Sequence, residues 1–123
     1  MRLILPAALL AASLSASIAL AAPPSPGTTS AGPAFVDAKG MTLYTFDKDG
    51  KDTSNCTGGC AVNWPPAEAA ASDTASGEFT IIKREGGASQ WAHKGKPLYT
   101  FARDKKAGDA TGGSMPNWHV AVP

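Results

Sequence analysis

Lys39-Gly40-Met41-Thr42-Leu43-Tyr44-Thr45-Phe46-Asp47-Lys48-Asp49 returns 55 residues later as Lys94-Gly95-Lys96-Pro97-Leu98-Tyr99-Thr100-Phe101-Ala102-Arg103-Asp104. The offset holds over the whole stretch, and Lys-Gly, Leu-Tyr-Thr-Phe and the Asp three after Phe are common to both copies. Trp64 and Trp118 close the two halves at nearly the same offset, 54. A period of this kind is an internal duplication, and it implies two copies of one supersecondary unit packed on each other.

Each copy reads as strands. Leu-Tyr-Thr-Phe is aromatic and β-branched, the composition a pleated surface favours. A period of two puts Tyr44 with Phe46, and Tyr99 with Phe101, on one face, and Leu43 and Leu98 on the other. The Lys-Gly ahead of each copy is a turn signal. Ala34-Phe35-Val36-Asp37 precedes it in one half and Gln90-Trp91-Ala92-His93 in the other, so a hairpin is expected in each. Phe79–Arg84 reads as a further strand that leaves through Gly86-Gly87. With 13 Gly and 10 Pro, the chain has room for short strands and little for long helices. The fold expected is all-β: one small compact domain from two tandem hairpin-based repeats in a pseudo-twofold relation. Its core is expected to be built largely from the aromatic residues, all of which lie beyond position 34.

Outward from the repeats, the ends read differently. Residues 1–21 have a basic start at Arg2, an apolar run and a small-x-small exit at Ala19-Leu20-Ala21, the pattern of a signal peptide cleaved before Ala22. Residues 22–33, rich in Pro, Ser, Thr and Gly without an apolar period, read as a flexible N-terminal arm. The β domain is then 34–123, with repeat one at 34–66, a linker at 67–77 and repeat two at 78–123. A short helical turn through Ala67–Ala71 would be too brief to stand alone.

The chain has 123 residues, with 11 Lys and Arg against 10 Asp and Glu. Loss of Arg2 with the leader leaves the mature protein neutral, which argues against a nucleic-acid binder or a polybasic membrane sensor. Export sets an oxidising context, so Cys56 and Cys60, the only cysteines, are expected to form a disulfide. The two glycines between them let the backbone turn tightly enough. A structural clip is preferred over a redox-active pair, since neither belongs to a Cys-x-x-Cys motif.

These motifs resemble a bacterial secreted-repeat or predicted lipoprotein family whose signature is Tyr-x-(Phe/Trp/Tyr)-x-x-Asp. It occurs here twice, as Tyr44-Thr45-Phe46-Asp47-Lys48-Asp49 and Tyr99-Thr100-Phe101-Ala102-Arg103-Asp104. The family's Cys-x-x-x-Cys-Ala-x-x-Trp-Pro-Pro segment is similar to Cys56–Pro66, and its terminal Gly-x-x-x-x-x-Trp segment to Gly112–Trp118. The resemblance spans residues 34–121. No lipobox cysteine is present near the leader's end, which implies a free form without a membrane anchor after cleavage. The family has no assigned activity, so the resemblance implies no catalytic group and no cofactor.

The candidate motif and binding positions are therefore Tyr44, Phe46, Asp49, Tyr99, Phe101, Asp104, Trp64 and Trp118. Asp49 and Asp104 are expected to accept backbone N–H bonds in turns. The cluster Asp47–Asp52 does not have calcium-loop spacing, since Gly50 falls fourth and Lys51 stands where an acceptor is needed. The two Trp are expected in the core. Each motif Tyr hydroxyl is expected to find a backbone or Asp partner near the opposite repeat.

His93, His119 and Met115 are ligand types that suit copper, but nothing in their spacing assembles a site. Catalytic signatures of the Gly-x-Ser-x-Gly or His-Glu-x-x-His kind do not occur, and no cofactor is assigned. A small hydrolase would need a pocket holding His93 or His119 beside a carboxylate. The expectation is an exported non-enzyme, periplasmic or secreted: a binding or structural module of the cell envelope whose partner is an envelope protein or a small molecule. Periplasmic metal or redox handling through the His/Met set or the Cys pair is the second reading.

Overall fold

The computed structural model describes residues 22–123; the signal-peptide reading of 1–21 lies outside them. Seven short strands run in the order β1 (Ser25–Thr29), β2 (Gly32–Val36), β3 (Tyr44–Phe46), β4 (Phe79–Lys83), β5 (Ser89–His93), β6 (Lys96–Pro97) and β7 (Trp118–Val120). One helical turn, α1 (Gly59–Asn63), follows β3, and a 3₁₀ turn at Thr111–Ser114 precedes β7. The fold is all-β, with antiparallel pairings β1–β2, β3–β7 and β4–β5–β6.

Both expected hairpins form. Lys94-Gly95 turns β5 into β6, and Gly40 at the matching place closes a longer turn that brings Val36 against Thr42. Gly40 and Gly95 have φ of 81° and 83°, a region where a side chain would be strained, which is why each Lys is followed by Gly. Gly86 and Gly87 turn β4 into β5.

The two repeats are joined by exchange of their closing strands. In repeat one, the Leu43 N–H donates to Phe35 O (3.0 Å), and in repeat two the Leu98 N–H donates to Trp91 O (2.9 Å). The strand completing each ribbon comes from the other repeat. The Ala121 N–H donates to Leu43 O (2.9 Å) and Ala121 O accepts from Phe35 (2.8 Å). Ala67 does the same with Leu98 (2.9 Å) and Trp91 (2.8 Å). On the pseudo-twofold axis, Tyr44 and Tyr99 exchange main-chain hydrogen bonds with each other at 2.8 and 2.9 Å. Neither half can satisfy its backbone alone, so the duplication is one folding unit.

The alternation in Leu-Tyr-Thr-Phe separates two core layers. One contains Phe35, Leu43, Ala67, Trp91, Leu98 and Ala121; the other contains Tyr44, Cys56, Trp64, Tyr99, Phe101 and Trp118. Burial of these large side chains is the main source of stability in so short a domain.

Two segment boundaries differ from the sequence reading. Residues 22–33 were expected as a flexible arm, but Ser25–Thr29 pairs along its length with Gly32–Val36. Main-chain bonds hold this ribbon, and the Ser30 N–H docks it on Gly108 O (2.8 Å), so it needs no apolar alternation. Residues 67–77 were expected as a linker, but Ala67 is buried in the first layer and Ala67–Ala69 is extended against repeat two. Small side chains there read as linker, yet Ala67 packs in one layer with Trp91 and Leu98.

Candidate functional site

The motif residues converge on the interface between the repeats. The Tyr44 hydroxyl donates to Asp104 Oδ2 and the Tyr99 hydroxyl donates to Asp49 Oδ2, both at 2.6 Å. Each signature tyrosine is thus bound to the signature aspartate of the other repeat, as expected. Each aspartate also accepts a backbone N–H through Oδ1: Asn55 at 2.6 Å for Asp49, and Thr111 at 2.9 Å for Asp104. Both tyrosines are fully buried. Burial, reinforced by the neighbouring carboxylate, pushes the Tyr99 phenol up to about 12 and moves the Tyr44 phenol up as well. Burial raises Asp49 above the ordinary carboxylate range, and the hydrogen bonds from Tyr99 and Asn55 oppose it.

Beside these pairs four rings stack in the order Phe46, Trp118, Trp64, Phe101. Their centroid separations are 4.3, 3.7 and 4.1 Å. Tyr44 meets Trp64 edge-on, and Tyr99 meets Trp118 in the same way. Face and edge contacts of this kind match the aromatic quadrupoles. Gly112 lies under the stack, where an added Cβ would come within 2.7 Å of the Trp64 ring, so no larger residue fits without displacement.

The halves differ in how their tyrosines are held. At Tyr44 the phenol oxygen also accepts from the Gly112 N–H (3.2 Å). At Tyr99 the added partner is the end of a relay that starts at Arg84: its guanidinium donates to Ser54 Oγ (2.8 Å), which donates to the Tyr99 oxygen (2.6 Å). Arg84 also donates to Gln90 Oε1 and to Cys56 O, both at 2.8 Å. Cys56 is disulfide-bonded to Cys60, as expected, with Cα atoms 5.2 Å apart. Sequence reasoning did not single out Arg84, Ser54 or Gln90, and it met Gly112 only as the glycine that opens the family's terminal segment. Arg84 and Ser54 are 30 residues apart, Ser54 and Tyr99 45, and Gly112 and Tyr44 68, so no local pattern announces these pairings.

Two surface depressions lie near these residues. A groove of about 390 Å³ is lined by His93 and His119 together with Thr45, Asp47, Lys94 and Lys96. His119 Nε2 lies 2.9 Å from Asp47, and His93 Nε2 lies 3.1 Å from Glu78. Each imidazole thus has its carboxylate, but Glu78 and Asp47 are largely exposed, unlike the buried carboxylate that orients a catalytic histidine. The bond from His93 lowers the Glu78 carboxyl. Met115 lies outside this lining, and among the described residues no group of three His, Cys, Asp or Glu side chains is gathered as a metal cage would need. The second depression, about 360 Å³, lies beside Phe46 and Lys51 and shares Lys94 and Lys96 with the first.

Comparison with known proteins gives one match. A family model described as a secreted repeat of unknown function covers residues 26–68 and again 80–122. The first matched stretch begins before residue 34 and ends at 68, in keeping with β1 and with the extended Ala67–Ala69. No curated protein and no solved structure matches the chain.

Proposed function

The chain belongs to this family of secreted repeats of unknown function, and from that premise we propose that it is a non-catalytic exported module of the cell envelope. Its duplicated core is a rigid platform, and its surface clefts bind a partner. One observation carries this reading: the signature residues are spent on each other. Tyr44 is bound to Asp104, Tyr99 to Asp49, and Trp64 is stacked on Trp118, all between repeats and all away from solvent except Asp49. A catalytic signature leaves its reactive groups facing a cleft where substrate can reach them. Here the signature makes the frame, and recognition falls to what the frame presents. A periplasmic or fully secreted location belongs to the same proposal; no helix among the described residues is long and apolar enough to cross a membrane.

Native mass spectrometry of the protein purified from its own envelope tests this reading, together with esterase, glycosidase and phosphatase assays. The expected result is a retained small molecule or envelope partner and no turnover above buffer. Turnover that disappears on changing His93 or His119 overturns it.

The second reading, copper or redox handling, rests on the two imidazoles lining one groove. Equilibrium dialysis with Cu(I) and Cu(II) tests it: stoichiometric binding lost in a His93→Gln, His119→Gln variant supports it, and no stoichiometric binding ends it.

A further inference from the structure

We infer that the cleft beside Phe46 is a binding site for a carboxylate-bearing sugar, with the ring laid on Phe46 and the carboxylate held by Lys51 and Lys96. This rests on the binding-module reading and gives it a ligand class.

The duplication itself supplies the comparison. Phe46 and Phe101 are equivalent residues at the two ends of the aromatic stack. Phe101 is buried, 5% exposed, whereas Phe46 is only half-buried and lines an open cleft. The frame needs both rings for the stack, but only one end has been left uncovered. At about 360 Å³ the cleft falls within the range of small-molecule sites, roughly 300–1,000 Å³.

The charges around the open end decide the ligand class. Lys51, Lys94 and Lys96 all line the cleft. Lys94 is 3.4 Å from Glu78, but Lys51 and Lys96 are in no ion pair among the described residues. The two carboxylates of the cleft already have partners, Asp47 with His119 and Asp49 with Tyr99 and Asn55. Two unpaired lysines in one cleft with a half-buried phenyl ring call for an anion attached to a ring. A carboxylate supplies charge-assisted hydrogen bonds to lysine, and the C–H face of a sugar lies flat on an aromatic ring. Thr45, also in the lining, offers a hydroxyl to sugar hydroxyls. An aromatic acid would use the ring and the lysines but leave the Thr45 hydroxyl unused.

The test titrates trigalacturonate into the mature full chain, followed by calorimetry and by amide shifts, with neutral galactotriose, benzoate and inorganic phosphate as parallel probes. Saturable binding of trigalacturonate is expected, with shifts centred on Thr45–Lys51 and Lys94–Lys96 and an affinity that falls with salt. Lys51→Ala and Lys96→Ala are each expected to weaken it about tenfold, the size of one charge-assisted contact. Both positions are exposed, and an unchanged amide spectrum shows that the variants fold. Phe46→Leu is expected to weaken binding by a similar factor. The inference is overturned if trigalacturonate does not saturate, if galactotriose, benzoate or phosphate binds as tightly, or if the two lysine variants bind as the parent does. A different ligand retained from the envelope alongside a negative trigalacturonate titration removes this site while leaving the binding-module reading in place.

Discussion

Trp64 and Trp118 lie face to face across the repeat interface, with ring centroids 3.7 Å apart and planes within 4° of each other. They are equivalent residues of the two repeats, so the domain is fastened by a residue stacking on its own duplicate. Each also stacks outward on the other repeat's phenylalanine, Trp64 on Phe101 and Trp118 on Phe46.

Replacing either Trp with Ala is expected to cost about 3–5 kcal/mol, since a large buried ring is lost from a packed layer. The double variant should cost clearly less than the sum of the singles, because each change already removes the shared stack. Urea unfolding of the four proteins measures this, and strict additivity would contradict the stacking account.

Tyr44→Phe and Tyr99→Phe should each destabilise by about 1–3 kcal/mol, because an aspartate loses its donor. The larger effect is expected at Tyr44, whose partner Asp104 is buried, 6% exposed. Asp49 is nearer solvent, while each aspartate keeps its backbone N–H bond, from Asn55 or from Thr111. Equal losses in thermal unfolding at matched pH would show that burial of the aspartate is not what matters.

Alkaline pH is expected to unfold the protein. Both phenols are raised in the folded state, by burial first and by Asp104 or Asp49 second, with Tyr99 at about 12. The native state therefore holds these protons above pH 10, where the unfolded chain releases them. Their contribution is complete below the ordinary tyrosine value of about 10 and is lost as pH climbs through the raised values. Phenolate absorbance should rise together with loss of near-ultraviolet dichroism; phenolate formed while that dichroism persists would refute the sequence of events.

Removing the disulfide by Cys56→Ser, Cys60→Ser is expected to lower stability by about 2 kcal/mol, the loop-closure value for so short a ring. The loss should fall on the Tyr99 half, since Arg84 is anchored on Cys56 O and also donates to Ser54 of the relay to Tyr99. Hydrogen exchange faster around Ser54–Cys60 than around Thr111–Met115 is the expected pattern, and the opposite order would exclude it.

Local chemistry in the chain determined a good deal. The repeated Leu-Tyr-Thr-Phe, the Lys-Gly turns, the cysteine pair and the alternation of faces are short-range features, and strands, hairpins, disulfide and two core layers follow from them. So does the cross-repeat tyrosine partner, because a buried hydroxyl must be satisfied and the duplication provides matched acceptors. Tertiary structure alone decided which strand completes which repeat, that residues 25–29 are paired, and that Ala67 lies under Trp91. It also decided that Arg84 reaches Ser54 and Cys56, and that Phe46 is open where Phe101 is covered. Those outcomes depend on main-chain bonds and packing between segments tens of residues apart. Such bonds are made by backbone groups common to every residue, so side-chain pattern carries no mark of where they will form.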